Sequence, residues 1–415
     1  MAVKRFNKKG YSRLLKPSPI WMATAIVVLF FACGDRGSSS MAPLESYIEA
    51  ELFRLEETYR ILDRYSEALW PGWKDYTKIP IQVDFPNNVV LLVTPPAGRR
   101  PGFERLEGRT ILGKAVYINR RGQTKAEVRP PLFAQRGRGG VGIQLEMGQT
   151  DLPPQEAERS AALEALLKTQ GQPDAPFDFA PRGDSDSHVL MYVHEHFHGH
   201  QTRIQPPGPG VEIERDAEVN AEYAAWSNIE GLALRRAYLE ADDAAAREFL
   251  KDFVVAREIR RANMPPPAVA REVRISVTEG TASYVSLRTA LLLKDSYEKK
   301  PDIDRAKDPF FYDFAYVDGY IDNIMRKGLE FAASSTRDNR GKYYFYGAYQ
   351  CFLLDRFFPG WKRNFLEKSK DLDEAMAALF KLTPEEKTQV TQRLSSRYGY
   401  DEILSFHENV LKKRP

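Results

Sequence analysis

The chain has 415 residues, 60 of them basic and 57 acidic, with two cysteines, 43% apolar and 28% charged side chains. This length and composition are globular, with room for a core in one large domain or two to three smaller ones, and they exclude a disordered tract and a disulfide-framework miniprotein. The net charge of +3 comes entirely from the first residues.

Lys4, Arg5, Lys8, Lys9, Arg13 and Lys16 form a basic start without an acid, and an apolar stretch follows from Ile20 to Ala32. That stretch is too short for a typical membrane span and has the length of a signal-peptide core. It closes on Leu29-Phe30-Phe31-Ala32-Cys33-Gly34, before the polar run Asp35 to Ser40. A small residue directly before a cysteine resembles a bacterial lipoprotein cleavage site, which implies a lipid on Cys33, a membrane as partner and a place in the cell envelope. Residues 1–32 are then a signal peptide and residues 33–41 a lipid-anchored tether, with ordinary cleavage without a lipid and an uncleaved anchor as the alternatives. Without residues 1–32 the balance is 54 basic against 57 acidic, a net of −3. No basic patch remains, and nucleic acid is excluded as a partner. A lipidated Cys33 also leaves Cys351 without an intrachain disulfide.

Residues 42–78 are expected to hold an N-terminal helix. From Leu44 toward Asp75, Ile48, Leu52, Leu55, Tyr59, Leu62, Tyr65 and Leu69 recur at helical spacing, and Trp70-Pro71-Gly72-Trp73 stops the pattern. Residues 79–185 read as a small sheet and a loop. The β-rich runs Ile79–Phe85, Val89–Thr94, Thr110–Asn119 and Gly140–Met147 predict three to five strands. A short helix near Gln155–Thr169 leads to a Gly, Pro and Asp-rich loop, Gly171–Asp186, after which Ser185 or Ser187 can cap a new helix. Residues 186–415 read as helical: Asp216–Glu240, Asp243–Asn263, Pro267–Leu293, Phe310–Lys327, Lys342–Phe358, Asp371–Phe380 and Tyr400–Lys412. Leu62-Asp63-Arg64 before Pro71-Gly72-Trp73-Lys74 is echoed by Leu354-Asp355-Arg356 before Pro359-Gly360-Trp361-Lys362. A shared helix-stop chemistry accounts for this echo better than duplication.

Five of the six histidines lie between positions 188 and 200, and His194-Glu195-His196-Phe197-His198 has the form His-Glu-x-x-His. Residues four apart share a helix face, so His194 and His198 can hold one metal ion while Glu195 stands beside it as a base. Val189, Val193 and Phe197 form an adjacent apolar stripe, which predicts a buried helix. His196 lies roughly opposite the pair and His200 well off its face, so neither is expected to bind the catalytic metal. The fold class is therefore α+β, mostly helical, with a small mixed sheet packed on the metal-binding helix and a helical subdomain after it; 79–415 form one catalytic unit.

A catalytic zinc needs three protein ligands and an open position for water. No third histidine follows at the compact spacing; the other route takes a glutamate from a later helix. Three sources compete: Glu279 in Val277-Thr278-Glu279-Gly280-Thr281-Ala282-Ser283-Tyr284, Glu230 in Asn228-Ile229-Glu230-Gly231-Leu232-Ala233, and the acids from Glu212 to Glu222, among which Glu218 stands twenty residues after His198. Around Glu230, Arg235 replaces the aromatic that Tyr284 supplies after Glu279.

The histidine motif with Glu279-Gly280-Thr281-Ala282-Ser283-Tyr284 resembles the gluzincin metallopeptidases of the aminopeptidase type, over Val189 to Leu287. The resemblance implies a zincin-like fold, a single zinc on His194, His198 and Glu279, and hydrolysis of a peptide or protein substrate by a metal-activated water with Glu195 as general base. Gly280 is expected to let two helices approach closely around the ion. Tyr346, in Tyr343-Tyr344-Phe345-Tyr346-Gly347, is the candidate oxyanion donor, against a plain core role for these aromatics. Arg257, Arg260 and Glu272 can support the site or orient a substrate terminus, although a solvated helix face is the simpler expectation. The alternative without catalysis is a histidine-rich zinc-binding surface lipoprotein.

Overall fold

A computed structural model describes residues 44–85, 89–93, 102–120, 134–137, 140–144, 185–204, 220–297, 341–363, 365–368 and 371–412. The expected signal peptide, Cys33 and the tether lie outside the described residues. So do the helix near Gln155–Thr169, most of the loop after it, the helix near Phe310–Lys327 and the acids from Glu212 to Glu218. No described helix is long and apolar enough to cross a membrane.

Helix α1 (Leu44–Leu69) buries the expected stripe, with Leu55, Tyr59, Leu62 and Leu69 fully enclosed. It ends where Pro71 cannot continue the backbone ladder and Gly72 takes a φ of +85°. The second echo segment leaves its helix in the same way, with Gly360 at +83°. The aspartates of the two echoes have different partners: Asp63 accepts from Tyr76, whereas Asp355 accepts from Tyr284 and the Trp361 indole. The likeness is thus one of helix stops.

Six strands form one sheet in the order β3-β4-β2-β1-β6-β5, more strands than expected. They are β1 (Ile81–Phe85), β2 (Val89–Val93), β3 (Glu104–Ile111), β4 (Lys114–Asn119), β5 (Ala134–Gly137) and β6 (Gly140–Gln144). The four strands β3-β4-β2-β1 are antiparallel; β6 joins β1 in parallel and β5 closes the other edge, so the sheet is mixed. The run Thr110–Asn119 is two strands rather than one, because Leu112 and Gly113 turn the chain with φ of 51° and 71°. Two successive positive φ values make the tight hairpin turn whose twist suits the strands, and the glycine makes it accessible. Edge strand β3 carries Glu104, Arg105, Glu107 and Arg109 with a register shift, which guards against further strand pairing.

The helix bearing the histidines, α2 (Ser185–Ile204), lies against α1 and the sheet. Its Phe197 is fully buried in an aromatic knot, 4.9 Å from Trp70 and 5.1 Å from Trp73 between ring centres, while Trp70 meets Trp361 at 5.4 Å. Burying such a ring is worth about 3 kcal/mol, and here it locks the helix turn between His194 and His198. Gly199 of α2 sits directly on Ile79.

Helices α3 (Ala221–Leu239), α4 (Asp243–Ala262) and α5 (Pro266–Ile275) come next, with Asn220 and Asp242 capping the first two. Where one helix was expected over Pro267–Leu293, a π turn at Ser276–Gly280 separates α5 from α6 (Thr281–Tyr297). Then come α7 (Gly341–Phe357), α8 (Leu372–Ala377), α9 (Pro384–Tyr398) and α10 (Tyr400–Lys412). Helix α9 was not expected from the sequence. It docks through Arg393 and Arg397, which clamp Asp252 of α4.

Candidate metal centre

His194 and His198 stand one turn apart on α2, their ring centres 4.6 Å apart and nearly perpendicular. His194, Glu195 and His198 each offer a ligand atom within 4.8 Å of the others, and among the described residues they are the one such group. This cluster can hold a metal ion. Glu279 is outside that triple, yet its Oε2 lies 2.9 Å from His198 Nε2 and 3.5 Å from His194 Nε2. Direct contact is the better guide to which carboxylate can share an ion with both rings. Glu195, adjacent to His194, leaves the helix about 100° away from it.

Glu279 reaches the rings from the π turn. One residue more than an α turn is inserted there, and such insertions occur often at functional sites. Gly280, next in sequence, does allow a close approach, but the partner is α7: a Cβ on Gly280 would lie 2.5 Å from the Gly347 Cα. The glycine therefore seats the π turn on a neighbouring helix.

The hydrogen bonds around His198 fix its protonation pattern. Gln201, one turn on, places Oε1 2.7 Å from His198 Nδ1, and its Nε2 donates to the Thr278 carbonyl at 2.8 Å and to Thr281 Oγ1 at 2.7 Å. The carbonyl can only accept. Thr281 Oγ1 gives its own hydrogen to the Val277 carbonyl, so toward Gln201 it accepts as well. These acceptors set the amide orientation, and His198 Nδ1 must be the donor to Oε1. In the neutral ring Nε2 then carries no hydrogen, and it faces a carboxylate oxygen at 2.9 Å. Two lone pairs at that distance need a proton or a cation between them. The donor set, two imidazoles and one carboxylate, suits a divalent metal. Gln201 and the π turn are the parts of the site not singled out from the sequence, although a glutamine three residues after His198 necessarily shares its helix face.

The other histidines of the run are held elsewhere. His196 is fully buried with its ring edge-on to Tyr59 at 4.9 Å; burial holds its pKa down to about 3, against a weaker upward pull from Asp75. His200 Nδ1 pairs with Asp75 at 2.8 Å. Burial raises the Asp75 pKa, but the bond to His200 and the charges of His200 and Arg203 outweigh it and hold the carboxyl below its usual range.

Glu230 has a different place. It is fully buried between Arg257 and Arg260, whose Nε atoms donate to its two oxygens at 2.8 and 2.6 Å. Glu222, the described member of the Glu212–Glu222 group, is exposed. Arg257, Arg260 and Glu272 do not form a solvated face: all three are buried, because each guanidinium meets carboxylates on neighbouring helices. Arg260 and Arg261 both pair with Glu272, and Arg257 and Arg261 with Asp373. Burial would raise the Glu272 pKa; the surrounding arginines hold it well below the carboxylate range. The Tyr346 hydroxyl is also fully buried and donates to the Ser227 carbonyl at 3.2 Å, inside the α3–α7 contact.

Compared with protein-family models, curated proteins and solved structures, the chain matches none.

Proposed function

We propose that the protein is a zinc-dependent peptidase of gluzincin type. The observation that carries this reading is the meeting of Glu279 with both His194 and His198, at 3.5 and 2.9 Å, beside Glu195. The arrangement of a small mixed sheet, a helix with the two imidazoles and a later helical segment with the carboxylate fits a zincin-like fold.

His194, His198 and Glu279 would hold the ion. Zinc, when bound in such a site, acts as a Lewis acid that makes a water more acidic and a carbonyl more electrophilic. Glu195, half-buried on the same helix, removes one proton from the attacking water as its oxygen joins the substrate carbonyl carbon. The same carboxyl returns that proton to the leaving nitrogen as the C–N bond breaks. Tyr346 has no part in this reading, since its hydroxyl is engaged by Ser227. The N-terminal sequence supports export and a lipid on Cys33; mass spectrometry of the mature protein, with Cys33→Ser as control, tests that separately.

The test of catalysis is zinc content and hydrolysis of a mixed peptide library by the full-length protein and Glu195→Gln. One zinc per chain in both, with hydrolysis reduced about 10²–10⁴-fold in the variant, is expected. A chain that binds no zinc overturns the reading. Zinc binding without hydrolysis favours the metal-capturing lipoprotein instead, a function that the buried His196 and the Asp75-paired His200 do not support.

A further inference from the structure

One side chain links the two elements that carry the candidate ligands. Gln201 belongs to α2 with His194 and His198, and it is bonded to the π turn that carries Glu279. Both hydrogens and one lone pair of its amide are engaged. Oε1 accepts from His198 Nδ1, and the two Nε2 hydrogens go to the Thr278 carbonyl and Thr281 Oγ1. The Thr278 carbonyl also receives the Thr281 backbone N–H, so two donors converge on the residue before Glu279. Gln201 is 6% exposed and Thr281 is fully buried, so water does not compete freely for these bonds.

We propose that Gln201 is a positioning residue with two effects: it selects the His198 tautomer with hydrogen on Nδ1, and it holds the Glu279 turn at the distance where both ligands meet one ion. This rests on the reading of His194, His198 and Glu279 as metal ligands. The first effect comes from directionality. A ring that can flip or exchange tautomers offers Nε2 to a metal only part of the time, whereas a fixed acceptor at Nδ1 keeps the Nε2 lone pair presented. The second comes from connectivity. Reversing the amide would put Oε1 against the Thr278 carbonyl oxygen and lose both bonds that Nε2 donates to the π turn and Thr281.

The two effects separate in two substitutions. Gln201→Met keeps the length and removes every bond. Gln201→Glu keeps an acceptor for His198 but loses both donors and sets a carboxylate against the Thr278 carbonyl. The experiment uses full-length protein with ¹⁵N-labelled histidine. The His198 tautomer is read from imidazole nitrogen shifts of the metal-free chain at pH 8, and zinc affinity is read by competition with a chelator.

Wild type is expected to show hydrogen on His198 Nδ1. Gln201→Met is expected to show mixed tautomers and about 10- to 100-fold weaker zinc binding. Gln201→Glu is expected to restore the tautomer without restoring the affinity. A Gln201→Met protein with the wild-type tautomer and zinc affinity within twofold of wild type overturns the proposal. Should circular dichroism show that Gln201→Met is unfolded, Thr281→Val carries the test: it keeps the shape, removes one partner of Gln201 and should weaken zinc in the same direction. A wild-type chain that binds no zinc overturns the metal-site reading instead, while the metal-free spectra still decide the tautomer.

Discussion

Gly280 and Gly347 meet backbone to backbone: a Cβ on Gly347 would lie 2.7 Å from the Gly280 Cα and 2.5 Å from the Ser276 carbonyl oxygen. Neither obstacle is a side chain that can swing aside. Gly280→Ala is therefore expected to lower stability by about 1–3 kcal/mol or more and, by pushing the π turn off α7, to weaken zinc binding as well. Urea unfolding and chelator competition measure the two effects. An alanine variant as stable as wild type and equally tight for zinc would show that the contact does not position Glu279.

Glu279 and Glu230 should fail in opposite ways. Glu279→Gln is expected to reduce zinc affinity by more than about 100-fold, beyond the usual effect of an outer-shell change, with little loss of stability in the metal-free chain. Glu230→Gln leaves Arg257 and Arg260 buried beside a neutral partner and should cost about 3–5 kcal/mol, with zinc stoichiometry intact. The reverse pattern would make Glu230 the ligand.

Tyr346→Phe removes one buried donor and leaves the Ser227 carbonyl without it. The expected loss is about 1 kcal/mol, with kcat within twofold of wild type. A hundredfold fall in kcat at unchanged stability would restore Tyr346 as the oxyanion donor.

His407, far along the chain in α10, gives a pH signature independent of metal. Burial lowers its pKa to about 4 from an ordinary 6.5, so the folded chain binds fewer protons there than the unfolded one. Its neutral form is favoured above pH 6.5, and stability is lost as the pH falls from there toward 4. Between pH 7 and 5 the loss is about 2 kcal/mol. Urea unfolding of wild type and His407→Leu at both pH values should differ by that amount; identical pH dependence would refute it.

The amphipathic face of α1, the histidine helix and the helix stops at Gly72 and Gly360 were legible because each is written in local chemistry: a 3.6-residue stripe, a metal-ligand spacing, a Pro-Gly exit. Helix α9 was equally local, with Thr383 and Glu386 forming a reciprocal capping box ahead of Val390, Leu394 and Tyr398. Its buried stripe is only these three residues, and Arg393 and Arg397 supply the rest of the docking, so apolar periodicity alone passes over it.

What lay beyond the sequence was partnership. Nothing local tells that Arg257 and Arg260 enclose Glu230 rather than face water, since the partners are 27 and 30 residues away. The strand break at Leu112 was hidden for another reason: a leucine seldom takes positive φ, and only Gly113 hints at the turn. The π turn is hidden from helical periodicity because it is a miscount of that periodicity.

Removing one residue between Ser276 and Gly280 would restore an unbroken α ladder from Pro266 to Tyr297, and it would also rotate α6 relative to α5 by about 100°. Glu279 meets the imidazole pair and Gly280 meets Gly347 from this one turn, so such a rotation would pull either α5 or α6 away from its present packing. The turn is both a seat on α7 and an arm toward α2, so a length change there sets the phase between the chain before it and the chain after it.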